Sequence, residues 1–263
     1  MFGIVFEGGG MKGSYHIGVW EALKHLKLSV NGAVGTSIGA ITSALFIQSG
    51  GDSSLATRFW KLVNESRKEM SEEEYSLYKK VSTHDFQSIE PQEIKKEMRQ
   101  VFQCDGLDLS FFKESINSVL DENHIRNSGK DLGLVTISLS RNMGVELFLE
   151  DIPPGQLADY IVASCCFPTF KEIYLNGEYY TDGIYFNRLP TNMLINKGYK
   201  NIIEVVLYPS RNRTRALEIP PDVNIIRIEA SDYLGRALEF DHEKFLSNME
   251  LGYQDAMKSL KHL

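Results

Sequence analysis

Apolar positions along the chain fall into two alternating patterns, short unbroken runs and runs at helical spacing. Gly3-Ile4-Val5-Phe6-Glu7 is an unbroken run and reads as a buried parallel strand. It stops at Gly8-Gly9-Gly10-Met11-Lys12-Gly13, after which Tyr15, Val19, Ala22, Leu23 and Leu26 recur with the period of a helix. Val30, Ala33 and Val34 predict a second strand, and Ile38 to Ile47 a buried helix with small residues where it lies close to a sheet. From about 51 to 131 the pattern changes to helices alone. Their apolar faces are Leu55-Phe59-Leu62-Val63, Ile94-Met98-Val101-Phe102 and Phe111-Phe112-Ile116-Val119-Leu120, and Ser71-Glu72-Glu73-Glu74 resembles a capping box, its acids forming a solvated helix start.

The strand pattern resumes at Leu134 to Leu139 and returns through Val145 to Leu149 across Arg141-Asn142-Met143-Gly144, as in a hairpin. Pro153-Pro154 opens a helix carrying Leu157, Tyr160, Ile161 and Val162. Asn176-Gly177 between Glu172–Leu175 and Glu178–Tyr180 is the strongest short hairpin signal in the chain. Two more strands, Ile202 to Leu207 and Val223 to Ile228, follow a helix between Pro190 and Gly198. An amphipathic helix runs from about Asp241 to Leu260, and there is no internal repeat. The pattern predicts one α/β domain over residues 1–263 with a mainly helical insertion at about 51–131.

Composition narrows the partners. Of 263 residues, 43% are hydrophobic and 24% charged, enough for a substantial core. A net charge of −7 argues against a nucleic-acid binder and against steady adhesion to anionic lipid, while leaving a transient apolar contact with a membrane or micelle open. Cys104, Cys165 and Cys166 show no metal-ligand spacing, and reduced thiols in a cytoplasmic setting are expected. No run reaches the roughly 18 to 20 apolar residues of a membrane span, and the first residues do not read as a signal peptide. No cofactor and no metal is expected. Ser210-Arg211-Asn212-Arg213-Thr214-Arg215, the one basic loop, reads as a mobile surface loop in preference to a lipid-headgroup site.

Chemistry enters at Gly35-Thr36-Ser37-Ile38-Gly39, the G-x-S-x-G pattern of a serine on a sharp strand-to-helix turn. Upstream, Gly8, Gly10 and Gly13 also satisfy G-x-G-x-x-G. The dinucleotide reading of that motif requires an acidic residue at the end of the second strand, where this chain offers only Asn31 before the serine turn. The loop is better suited to present backbone N–H groups to the oxyanion of an acyl-transfer reaction. A serine needs a base. Only His242 and His262 follow Asp182, and neither stands in a distinctive setting; His16 and His25 lie on the first helix as packed or surface groups. Asp182 follows a strand and precedes Gly183 in a tight turn. It can serve as the base if its site is desolvated, or simply bond its own backbone as turn aspartates do.

These residues carry a family resemblance. The chain resembles the patatin-like phospholipases, lipid acyl hydrolases that use a Ser-Asp dyad without histidine. Glu7-Gly8-Gly9-Gly10-Met11-Lys12-Gly13 matches the family's glycine motif with Glu for Asp. Gly35-Thr36-Ser37-Ile38-Gly39 matches its elbow, and Ala163-Ser164-Cys165-Cys166-Phe167-Pro168 its small-residue and proline segment. Asp182-Gly183-Ile184, with Asn187 and Pro190, matches its aspartate motif except at Ile184, where Gly or Ala is usual. The resemblance implies a three-layer α/β/α fold with a mainly parallel central sheet. It implies Ser37 as nucleophile, Asp182 as base, and Gly8, Gly9 and Gly10 as oxyanion hole with Ile38 N–H in support. Lys12 either shapes the loop and adds positive charge or is exposed to solvent. The substrate implied is a lipid or other acyl ester. Acyl transfer or thioester hydrolysis on the same site, and a non-catalytic lipid- or nucleotide-binding relative, are the rival readings.

Overall fold

The computed structural model describes residues 2–68, 70–87 and 90–262. Eight strands form one sheet: β1 (Phe2–Phe6), β2 (Val30–Thr36), β3 (Asp131–Ser138), β4 (Met143–Phe148), β5 (Ile173–Leu175), β6 (Glu178–Asp182), β7 (Asn201–Val206) and β8 (Asn224–Glu229). Neighbours in the series β8-β7-β1-β2-β3 are all parallel, and β4, β6 and β5 add antiparallel pairings beyond β3. β4 pairs with Gly133–Ser138 of β3 along one edge. The other edge is shared: β2 pairs with Asp131–Val135, and β6 takes over at Thr136–Ser138. β2 runs parallel to β3 and β6 antiparallel, so their C-terminal ends converge, with Thr36 opposite Val135 and Asp182 opposite Thr136.

α1 (Ser14–His25) connects β1 to β2, and α2 (Ile38–Ser49) leaves the end of β2. Five helices separate that unit from β3: α3 (Ser54–Lys68), α4 (Glu72–Thr83), α5 (Pro91–Val101), α6 (Ser110–Asn117) and α7 (Glu122–Asn127). α8 (Leu157–Ser164), α9 (Ile184–Asn187), α10 (Thr191–Asn196) and α11 (His242–Leu260) complete the chain. Alternation along the strands divides the core. Ile4, Phe6, Ala33, Leu132, Leu134, Ile203 and Val205 pack with the buried faces of α1, α2 and α8. Val5, Val34, Val135, Ile202 and Val206 pack on the opposite side with Leu189, Met193, Leu194 and Tyr199. The result is the sandwich of helices about a mostly parallel sheet that the resemblance implied.

Local chemistry sets the element ends. Ser71 Oγ accepts the Glu74 amide at 3.2 Å while Glu74 Oε2 accepts the Ser71 amide at 2.9 Å, a complete capping box at the start of α4. Asn176 and Gly177 both have positive φ, 52° and 87°, as the two-residue β5–β6 turn requires. Two short helices, α7 and α9, lie where no helical period is visible, and β3 begins three residues before the expected Leu134. α1 and α11 touch backbone to backbone. A Cβ on Gly18 would lie 1.8 Å from the Met249 carbonyl oxygen, and one on Gly252 would lie 2.2 Å from that of Tyr15. Among the described residues, no helix is long and apolar enough to cross a membrane.

Gly18→Val is therefore expected to push α11 off α1. Overpacking of this kind costs about 1–3 kcal/mol, and each kcal/mol lowers the Tm by roughly 2–4 °C in a protein of this size. Urea and thermal unfolding check the value, and a Tm equal to wild type would contradict the close approach.

Candidate active site

Ser37 stands alone between the last residue of β2 and the first of α2, with φ 57° and ψ −127°. Positive φ at a residue other than glycine costs on the order of 1–3 kcal/mol and persists only where the surroundings over-determine it. They do so here. A Cβ on Gly35 would lie 2.3 Å from the Gly39 carbonyl, and one on Gly39 would lie 2.1 Å from the Phe6 carbonyl oxygen, so the strand, the turn and the helix close on each other only with glycine at both places. The Ser37 amide donates to Ser164 Oγ at 2.8 Å, and that hydroxyl donates to the Val135 carbonyl at 2.6 Å. Ser37 Oγ donates to Asp182 Oδ2 at 2.8 Å.

Asp182 is 1% exposed. Its amide donates to the Cys166 carbonyl at 2.8 Å, which also accepts from Thr181 Oγ1 at 2.8 Å, while Thr136 Oγ1 donates to the Thr181 carbonyl at 2.9 Å. The carboxylate splits its acceptors: Oδ2 takes the serine, and Oδ1 takes the Ile184 amide at 3.0 Å. Both sequence readings of Asp182, turn aspartate and partner of the serine, are thus satisfied by one side chain. Burial pushes its pKa up to about 7, and the hydrogen bonds from the Ile184 amide and Ser37 pull it back. Burial, and then the Asp182 charge, push the thiol of neighbouring Cys165 well up.

The three loop glycines do different work. The Gly8 amide donates to the Arg188 carbonyl at 3.1 Å. It is not offered to the cavity, which corrects the expectation that Gly8, Gly9 and Gly10 act alike. Gly9 and Gly10 line the cavity, and their amides have no acceptor among the described residues. Gly10 has φ +58°, and a Cβ there would lie 2.0 Å from the Ala237 carbonyl oxygen. Ile38, the first residue of α2, also lines the cavity, and a first-turn amide has no intrahelical acceptor. Ile184 leaves Asp182 free to reach Ser37. Its Cγ2 instead lies 2.6 Å from where a Cβ on Gly8 would be.

Beneath the loop, Glu7 is 2% exposed and accepts Arg188 Nε at 2.7 Å and the amides of Leu207 and Tyr208. Lys12 is buried, so the solvent-exposed reading fails. Its ammonium lies 4.1 Å from the Tyr208 ring centroid, where burial, then Arg211, lower its pKa to about 8 against the opposing pull of Glu7. The basic loop is at the surface yet tied down: Arg213 pairs with buried Glu204 and Arg215 with Glu146 at 2.7 Å, while Arg211 lines the cavity.

The cavity holds about 340 Å³. Ser37, Asp182, Gly9 and Gly10 line it together with Trp60, Val63, Leu109, Phe111 and Phe112 from the segment between α2 and β3, and with Phe86, Ile94, Phe167, Phe170 and Tyr185. No histidine among the described residues lines it. His16 is buried against Phe6 and Thr42, where burial pushes its pKa down to about 3; His25 meets the Tyr253 hydroxyl, and His242 and His262 are exposed. Sequence reasoning missed the bridging role of Ser164 and the Glu7–Arg188 pair. An acid closing a wholly apolar strand was the available signal for the second.

The chain is thus a mixed α/β protein whose mostly parallel sheet carries a strained serine at the floor of an apolar cavity. It belongs to the patatin-like phospholipase family, whose model matches residues 4–195. The fold is similar to that of VipD from Legionella pneumophila, with TM-score 0.57 and 14% identity over 98% of this chain and 66% of VipD. The type III effector protein ExoU matches at TM-score 0.47 and 13% identity, over 99% of this chain and 52% of ExoU. The chain spans just under two thirds of VipD and about half of ExoU. No curated protein sequence matches it.

The raised pKa of Asp182 has a consequence for stability. An unfolded aspartate titrates near 3.9, and the folded one near 7. The folded state therefore holds its proton while the unfolded chain releases it, and stability falls as pH rises from about 4 through 7. The whole step is about 4 kcal/mol at 1.36 kcal/mol per pKa unit. Asp182→Asn should lack this decline, so the wild-type and variant unfolding free energies, measured by urea at several pH values, should diverge across that window. Parallel curves would rule out a protonated buried Asp182.

Proposed function

We propose that this protein is a serine acyl-ester hydrolase acting on lipids through a Ser37–Asp182 dyad. One observation carries the reading: the 2.8 Å hydrogen bond from Ser37 Oγ to a buried carboxylate at the floor of an apolar cavity. Ser37 Oγ attacks the ester carbonyl as Asp182 accepts its proton. The tetrahedral oxyanion takes hydrogen bonds from the Gly9 and Gly10 amides, with Ile38 N–H in support and Gly8 fixing the loop through Arg188. One such donor is typically worth about 3–4 kcal/mol in the transition state. Collapse of the intermediate expels the alcohol, which takes the proton back from Asp182. Water then attacks the acyl-enzyme with Asp182 again as base, and collapse breaks the Ser37–acyl bond, Ser37 Oγ taking the proton back from Asp182 as the fatty acid leaves.

In this reading residues 1–263 act as one domain and the helical insertion at about 51–131 is the wall that receives the acyl chain, in transient contact with a membrane or micelle. Its setting is the cytoplasm, in keeping with three unpaired cysteines. Nucleic acid has no part in it, in keeping with the net charge of −7.

Ser37→Ala and Asp182→Asn should each lower kcat/KM for p-nitrophenyl and phospholipid esters at least ~10³-fold, and Ser37 should be labelled by a fluorophosphonate probe. Wild-type kcat/KM should climb about tenfold per pH unit and level off above pH 7, because the base must be ionised. His242→Ala should turn over within twofold of wild type; a loss as deep as that of Ser37→Ala would make histidine the base.

A further inference from the structure

A second cavity, of about 200 Å³, adjoins the first across Arg188, Tyr208 and Arg211, which line both. Its lining has the opposite character: Glu7, Arg188, Arg211, Arg213 and Arg227 gather around it. Three of the arginines have carboxylate partners. Arg188 lies 2.7 Å from Glu7, Arg213 pairs with fully buried Glu204, and Arg227 is shared between Glu204 at 3.5 Å and Glu229 at 2.7 Å. Arg211 has no carboxylate within ion-pair distance among the described residues. Its guanidinium lies 4.6 Å from the Tyr208 ring centroid, and Lys12 lies against the same ring. The four arginines meet three carboxylates, Glu7, Glu204 and Glu229, which leaves the Arg211 charge in excess. Burial, and then the Arg211 charge, lower the pKa of Lys12 to about 8.

We propose that this cavity is a phosphoryl-group site with Arg211 as the anion's main partner. The unpaired Arg211 guanidinium, set among three further arginines, favours an anion there. A guanidinium offers paired N–H donors to phosphate oxygens, and the volume is several times the ~30 Å³ share of a water molecule. Arg211 lines both cavities, so one amphiphile can lay its chain along Phe111 and Phe112 and its phosphate at Arg211. Placing the phosphate on the substrate rests on the acyl-ester reading above; anion binding itself does not.

Binding to hydrolysis-blocked Ser37→Ala protein separates the two. Isothermal titration compares a lysophosphatidic acid, the monoacylglycerol of the same chain, both below their micelle concentrations, and inorganic phosphate. The expected result is at least tenfold tighter binding of the phosphorylated lipid. Arg211→Gln should erase that preference, and Arg211→Lys should restore most of it. Binding of inorganic phosphate that depends on Arg211, without lipid preference, would support the site with a free anion as its ligand. Arg227→Gln, in the lining of the same cavity, should weaken phosphate-dependent binding independently and carries the test if Arg211→Gln does not fold. Phosphate and lipid binding indifferent to both arginines would overturn the proposal. Failure of wild-type Ser37 to react with the fluorophosphonate, with the preference intact, would instead overturn ester hydrolysis.

Discussion

Three strands draw on the two edges of β3, and every distance at the candidate site follows from how they divide them. β4 takes one edge. The other passes from β2 to β6 between Val135 and Thr136, so β2 cannot extend by even one residue without displacing Asp182. The chain leaves the ladder at Ser37, and its positive φ is the local cost of leaving so abruptly. The departure strands an amide that a longer strand would have paired. The Ser164 hydroxyl takes it up and passes its own proton to the Val135 carbonyl, so a side chain from α8 stands in for the missing rung. Two residues 145 apart in sequence thereby meet at the ends of converging strands rather than on flexible loops.

The same loop region buries two acids, and their surroundings assign them different chemistry. Glu7 faces Arg188 and two backbone amides, a set that compensates an ionised carboxylate for its lost water. Asp182 receives one amide and one hydroxyl, and its pKa settles near neutrality. A carboxylate so placed can exchange a proton with its serine, whereas Glu7 is committed to Arg188 and two amides. The acid that follows β1 therefore holds the scaffold, and the acid that ends β6 faces the serine.

Periodicity, elbow, capping box and Asn176-Gly177 hairpin were legible because each is written in neighbouring residues. What was not legible depends on pairings across the fold. Arg188 meets Glu7 from 181 positions away, and the Arg188 carbonyl takes the amide of Gly8, so no local pattern distinguishes the first loop glycine from the next two. Lys12 looks like a surface lysine until the Tyr208 ring covers it. The basic loop reads as solvated because Glu204, which holds Arg213, lies within an apolar strand. α9 escaped notice because four residues after a turn carry too little period to register.

Ile184 is, with Glu7, one of two points where this chain departs from its family's pattern, and the geometry gives that departure a partner. The Ile184 amide, which any residue supplies, is what Asp182 Oδ1 accepts; the side chain is free to do something else. It occupies the space a Cβ on Gly8 would need, so the isoleucine and the first loop glycine are complementary in size. Gly8 is thereby pressed into the spacer role that its bond to Arg188 also requires, which leaves the two following amides facing the cavity. Dehydration is the force that lifts the pKa of Asp182.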